Sequence, residues 1–238
     1  MAKAPQPGRS KTRLCPPLLP EQAAAMSAAF LRDITENIAL AALRAPIQGL
    51  IAYAPAGSEA LFEGLLAENT ELVLADGSPA MPANVVGFGR CLLHAVQSML
   101  DRGYAAACVL NSDSPTLPTE VLARAAELLL APGKRIVLGP ANDGGYYLLG
   151  VQAAHARLFA DIPWSTDAVS ETTRARAREL GLEVVELPVW YDVDDRSSLA
   201  RLIRETTSPD RSHYAAPATA GAIETLGLRR LDLAAAAE

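Results

Sequence analysis

The segment Pro7-Gly8-Arg9-Ser10-Lys11-Thr12-Arg13-Leu14 holds three cations within five residues, beside a glycine that lets backbone come close to a ligand. Such a loop suits phosphate. It is not the GxxxxGK[ST] phosphate loop, whose order differs and whose helix follows at once. A solvated basic loop is the plainer alternative. A second constellation is Ser112-Asp113-Ser114-Pro115, directly after the apolar run Ala105 to Leu110. A carboxylate there projects into a ligand crevice and can hold Mg²⁺ or Mn²⁺ against a diphosphate, work for hard oxygen ligands. An Asx turn or helix cap before Pro115 would use the same residues. In Asp143-Gly144-Gly145-Tyr146-Tyr147 the paired glycines free two N–H groups and Asp143 can orient a hydroxyl, while a tight turn between strands explains the same pattern. Asp192-Val193-Asp194-Asp195 sets two acids on one face of an extended segment. Asp194 is placed to join Asp113 on a metal, and Asp195 reads as a plain helix N-cap.

Other reactive types carry less. His94, His155 and His213 show no ligand or triad spacing, and no Ser-His-Asp or Cys-His set can be assembled. Trp164-Ser165-Thr166 can line an acceptor pocket, although tryptophan usually packs in cores. Cys15, Cys91 and Cys108 lie far apart without a CxxC pair and read as reduced thiols.

Alternating strands and helices must position these segments. Met26, Phe30, Ile34 and Ile38 recur at i+4 on a helix that begins near Pro20 and stops before Pro46. Strands are expected at 48–54, 71–74, 105–110, 135–138, 146–151 and 183–189. Further helices are expected around 59–67, from about Gly87 to Asp101, from Pro118 to Pro132, from a Ser165 or Thr166 cap to Leu180-Gly181, and up to Glu205. This alternation predicts an α/β domain, a mostly parallel central sheet covered on both faces, with ligands beyond the carboxyl ends of its strands. Residues 207–238 read as a tail, extended over 207–220, with a short helix up to Leu226-Gly227 and a frayed Ala-rich end.

Composition sets the outer bounds. The 238 residues suit one large domain, with half of them hydrophobic and a fifth charged. A net charge of −6 argues against a sequence-independent nucleic-acid binder but leaves room for a small phosphorylated ligand on a local basic loop. No apolar run approaches the ~20 residues of a membrane span, and no signal-peptide pattern is present, so no membrane role and a cytoplasmic address are expected. Oligomer formation is left open.

Five motifs in order, M-A-K-A-P-x-P-G-x-x-K-T-R-L, S-D-S-P-x-L-P, G-P-A-x-D-G-G-Y-Y-L-x-G, I-P-W-S-T and P-x-W-Y-D-V-D, resemble the bacterial GT-A-like transferases known as radical-SAM/selenodomain-associated glycosyltransferases. These belong to the nucleotide-diphospho-sugar transferase superfamily and are similar to phospholactate guanylyltransferases. The resemblance spans residues 1 to about 205, and Ala216 to Thr219 resembles the family's C-terminal end. It implies a GT-A-like Rossmannoid three-layer α/β/α sandwich over residues 1–206. It also implies phosphate binding by Gly8, Lys11 and Arg13, with Ser112 beside them, and a metal or diphosphate role for Asp113. A second metal contact falls to Asp194, and Asp143, Gly144 and Gly145 line the sugar or acceptor side. The partners so implied are a nucleotide or nucleotide-sugar and a small-molecule acceptor, with a divalent metal (Mg²⁺ or Mn²⁺) as cofactor. Glycosyl transfer is the leading expectation. Nucleotidyl transfer, joining an NTP to a phosphorylated small molecule with release of pyrophosphate, is the alternative, and a catalytically dead nucleotide sensor a third. Two departures stand out: relatives carry an apolar strand before M-A-K-A-P, and residues 76–86 lack a Gly-Asp-rich stretch. The first predicts a sheet short of a central strand, with Met1 to Ala4 supplying at most a stub.

Overall fold

The structure is a computed structural model that describes residues 1–207 and 212–231. Among these residues, six strands are β1 (Leu50–Tyr53), β2 (Glu71–Leu74), β3 (Ala107–Leu110), β4 (Arg135–Pro140), β5 (Tyr146–Val151) and β6 (Glu183–Glu186). The same residues form six α-helices, α1 (Pro20–Ala41), α2 (Phe88–Asp101), α3 (Thr119–Leu130), α4 (Val169–Glu179), α5 (Arg196–Glu205) and α6 (Pro217–Thr225). This is the α/β class that the alternation predicts.

The strands form two groups, β1-β2 and β3-β5-β4-β6. β1 pairs with β2, and β4 with β6, in parallel. β5 is antiparallel to both β3 and β4 because only the short turn 141–145 joins it to β4, and so few residues cannot cross over a sheet. β3, β4 and β6 therefore run in one direction and end on one side. Among the described residues, it is the first of the chain that bond to both groups. Ala2 makes a parallel bridge to Tyr53, its N–H donating to Ala52 O at 2.9 Å, and the Met1 ammonium donates to Leu110 O at 2.8 Å. The expected stub is there, with the sheet parted between β1 and β3.

Helices cover both faces. Strand side chains alternate, so Ile136 and Leu138 of β4 face a core shared with α2 and α4, whereas Val137 faces one shared with α3. On α1 the i+4 stripe is borne out: Met26, Phe30 and Ile34 are buried. Pro20 opens α1 and Gln22 Oε1 accepts the Leu19 N–H at 2.9 Å. A third core forms where Met26 and Phe30 meet Leu199 and Leu202 of α5 and Ile223 of α6.

Several boundaries differ from expectation. Residues 59–67 yield only a 3₁₀ turn, Glu59–Phe62, since a single large apolar side chain, Phe62, is buried there. Helix α4 starts at Val169, not at a Ser165 or Thr166 cap: Thr166 Oγ1 bonds to Pro163 O at 2.7 Å, within its own turn. β6 ends at Glu186, where Leu187 N–H still reaches Leu138 O but Pro188 has no donor to continue the ladder. After α5 the short helix appears as α6. The buried Asp33 of α1 accepts the N–H groups of Ala218 at 2.9 Å and Thr219 at 2.6 Å, doing from α1 the work of an N-cap. The expected extended tail falls partly, and the frayed Ala-rich end wholly, outside the described residues.

Candidate active site

Lys11 is in a left-handed conformation, φ 50°, which a lysine adopts only under tertiary constraint. The loop before it is tied down: Ser10 is buried, receives the Gln6 N–H at 2.8 Å and donates to Ala4 O at 3.1 Å. Gly8 takes φ 71° in open surroundings, so its role is the backbone turn itself. The outcome is a lysine side chain turned inward and only 6% exposed.

Its ammonium lies at the centre of the predicted acids. Lys11 Nζ is 2.8 Å from Asp113 Oδ1, 2.8 Å from Asp194 Oδ1 and 2.9 Å from Val193 O. The face of the Phe30 ring lies 5.7 Å away. Burial opposes the charge on Lys11, but the two carboxylates outweigh it and hold the group above the usual lysine range. Arg13, largely exposed, reaches Asp194 Oδ2 at 3.7 Å. Ser112 Oγ donates to Asp113 Oδ1 at 3.2 Å, and Val193 N–H donates to Asp113 O at 2.8 Å, locking the segment after β3 to the one after β6. Asp195 caps α5, accepting the Ser198 N–H at 2.7 Å, as expected.

These residues border a cleft of about 370 Å³ at the carboxyl end of β3, lined by Lys3, Arg9, Lys11, Arg13, Asp113 and Asp194 among others. Four cations against two acids make its wall favourable to a polyphosphate. Asp192, one of the two acids read on that extended segment but given no role of its own, is half-buried, and burial, with Asp194, Asp143 and Asp113 nearby, pushes its carboxyl up to about 6. Its i−2 spacing from Asp194 was the available signal. Lys3, remote from the glycine loop, had none.

Asp143, Gly144 and Gly145 do not border this cleft. Asp143 Oδ1 accepts the Gly145 N–H at 2.9 Å, and Gly144 O accepts from Ser170 N–H at 2.9 Å. A Cβ on Gly144, whose φ is 87°, would collide with the Asp167 carbonyl. That glycine lets the β4–β5 turn press against the start of α4. Trp164 packs edge-on against Phe88, ring centroids 5.6 Å apart.

A divalent cation can be tested against this donor set. Among the described residues no group of three or more His, Cys, Asp or Glu could hold a metal. The protein offers Asp113 and Asp194, which already converge on one cation, the Lys11 ammonium. Mg²⁺ commonly uses one or two carboxylates and completes its shell with substrate phosphate and water, so the pair fits that mode and not an all-protein cage.

Fold and cleft together define a GT-A-like transferase. The chain is similar, at 27% identity and TM-score 0.76, to a crystal structure described as a "putative nucleotide-diphospho-sugar transferase" from Desulfovibrio desulfuricans G20, the match covering 96% of this chain and 94% of that one. The chain belongs to the family described as "Uncharacterized protein conserved in bacteria (DUF2064)", whose model matches residues 37–166. No curated protein matches it. Among the described residues no helix is long and apolar enough to cross a membrane.

Proposed function

We propose that this protein is a metal-dependent glycosyltransferase that takes a nucleotide-diphospho-sugar and transfers its sugar to a small-molecule acceptor. The observation that carries the reading is Lys11, buried between Asp113 and Asp194 at the wall of the basic cleft. The description of the Desulfovibrio structure supports the same donor class. Lys11, Arg9 and Arg13 bind the diphosphate, and because negative charge grows on it as it departs, cations fixed beforehand stabilise the transition state. A divalent metal held by Asp113 and Asp194 would add further neutralisation of the diphosphate. The bond between sugar C1 and the diphosphate oxygen breaks, and the acceptor oxygen bonds to C1. Asp143, which stands outside the wall of the cleft but close enough to Asp192 for its charge to help raise the Asp192 pKa, is the residue we assign as base for the acceptor proton. Ser112 steadies Asp113, while Gly144 and Gly145 shape the acceptor side.

Nucleotidyl transfer is the second reading, in keeping with the resemblance to phospholactate guanylyltransferases. The specific observation in its favour is the number of cations on the cleft, Lys3, Arg9, Lys11 and Arg13, which suits a triphosphate tail. There a phosphorylated acceptor attacks the α-phosphate and pyrophosphate leaves. Incubation with labelled donors separates the two. Glycosyl transfer releases a nucleoside diphosphate from a nucleotide-sugar, whereas pyrophosphate released from an NTP together with the nucleotidylated acceptor, and no nucleoside diphosphate from any nucleotide-sugar, would reverse the order of the readings.

A further inference from the structure

The two acids on Lys11 come from opposite edges of one sheet group. Asp113 follows β3 and Asp194 follows β6, and β5 and β4 lie between those strands. Three spacings of ~4.8 Å put the two strand ends about 14 Å apart. Asp194 reaches Lys11 only because residues 187–193 run across the strand ends. The crossing is tied down along its way. Leu187 N–H donates to Leu138 O at 2.8 Å, Trp190 N–H to Pro140 O at 3.1 Å, and Val193 N–H to Asp113 O at 2.8 Å. From β5, the Tyr147 hydroxyl donates to Pro188 O at 2.8 Å.

At its far end the crossing is anchored through Tyr191. Ser114 Oγ donates to Tyr191 O at 2.8 Å. The Tyr191 side chain is buried, and the Arg201 guanidinium lies 3.7 Å from the centre of its ring. The Tyr191 hydroxyl donates to Glu205 Oε2 at 2.5 Å, and the buried Thr116 Oγ1 donates to the same oxygen at 3.0 Å. Arg201 Nε donates to Glu205 Oε1 at 2.9 Å. Thr116 lies three residues after Asp113, and Tyr191 three before Asp194. One carboxylate at the end of α5 thus gathers a donor from each acid-bearing segment. Burial, with Glu205 beside it, raises the Tyr191 pKa and keeps the phenol a donor. The surrounding core of Val193, Leu199 and Leu202 is apolar, and apolar contact alone lets a ring slide. Buried hydrogen bonds are directional and fix its position.

We propose that Thr116, Tyr191 and Glu205 are positioning residues that hold Asp194 beside Asp113, so that α5 sets the geometry at which the two acids meet a divalent cation and a diphosphate. None of the three lines the cleft, so each acts through the acids and not on the ligand. Removing one hydroxyl leaves Glu205 a donor short and loosens the crossing that carries Asp194. A carboxylate displaced by about 1 Å no longer shares a cation well with its partner. The functional half of this inference rests on the reading of Asp113 and Asp194 as the metal pair.

The test compares the full chain with Tyr191→Phe and Thr116→Val, which each lose one hydroxyl, and with Thr116→Ser, which keeps it. Amide exchange at Val193 and calorimetric affinity for inorganic pyrophosphate, with and without Mg²⁺, are measured well below each Tm. Tyr191→Phe and Thr116→Val are expected to speed Val193 exchange and to weaken Mg²⁺-dependent binding by about tenfold or more each, the usual cost of removing a group that orients a metal ligand. Binding without Mg²⁺ falls to the exposed Lys3, Arg9 and Arg13 and is expected to change by less than about twofold, as a rim contact does. Thr116→Ser is expected to match the parent in every readout. Parent-like exchange and affinity in Tyr191→Phe and Thr116→Val overturn the proposal. So does an equal loss with and without Mg²⁺, or a lowered Tm as the sole effect. A parent that binds pyrophosphate no better with Mg²⁺ ends the reading of the acids as a metal pair. In that case faster Val193 exchange in the two variants still upholds the positioning of Asp194, and unchanged exchange overturns it.

Discussion

Lys11 pairs with two acids, and on the proposed reading the same ammonium also meets the diphosphate. Without ligand its ammonium is the counter-charge for Asp113 and Asp194. On the proposed reading it is also the inward-facing cation of a polyphosphate cleft whose other cations, Lys3, Arg9 and Arg13, are exposed. Lys11→Met leaves two carboxylates facing each other, and because both are about a third exposed the loss is smaller than for a fully buried pair, about 1–3 kcal/mol of stability. Millimolar Mn²⁺ is expected to restore more of the melting temperature of this variant than it adds to the parent, because the variant has lost the competing cation. Equal Mn²⁺ effects on both proteins would remove Asp113 and Asp194 from the metal. Asp113→Asn keeps the backbone bond from Val193 N–H and hence the fold, but is expected to abolish Mn²⁺-dependent binding of a nucleoside diphosphate in calorimetry. Parent-like affinity would place the diphosphate elsewhere. At this scale the sequence was informative about residue type: the loop cations and the acids after strand ends meet in one cleft. It was silent on the direct pairing of Lys11 with acids more than a hundred residues away, because a salt bridge of that span is made by the sheet and not by spacing.

Among the elements, α6 is joined to α1 by one buried acid as well as by the apolar packing of Ile223. Asp33 on α1 receives two N–H groups from its first turn, and burial raises the Asp33 pKa even though those bonds pull the other way. Hydrogen bonds to a charged group contribute ~1.5–3 kcal/mol, so Asp33→Ala is expected to cost about 3 kcal/mol in denaturant unfolding. Hydrogen exchange should rise in α6 and at its contacts on α5, and leave β4 and β5 protected. Uniform loss of protection would mean that α6 has no separate attachment. The i+4 stripe of α1 was legible because an amphipathic helix writes its period into the sequence. The start of α4 was not. Ser165 and Thr166 have the composition of a cap, but the Gly144 turn pressing on Asp167 fixes where that helix begins.

For the whole molecule, ligand binding is linked to folding. A nucleotide-sugar with Mn²⁺ at a hundred times its Kd is expected to stabilise the protein by ~2.7 kcal/mol, or about 5–10 °C in Tm for a domain of this size. The matching nucleoside, lacking phosphates, should shift Tm far less. Equal shifts from both would show that recognition does not run through the basic cleft.

Local pattern determined the alternation of strands and helices, the core stripe of α1, the cap at Asp195 and the set of charged residues able to bind phosphate. Each of these is decided within a few residues of chain, by side-chain period or turn chemistry. Only the tertiary structure decided that Lys11 would turn inward at φ 50° between Asp113 and Asp194, that Asp192 would share their field, and that Asp33 would hold a helix at the other end of the chain. Those facts depend on which strand ends lie side by side, and strand order is set by packing between distant segments, which no local period records.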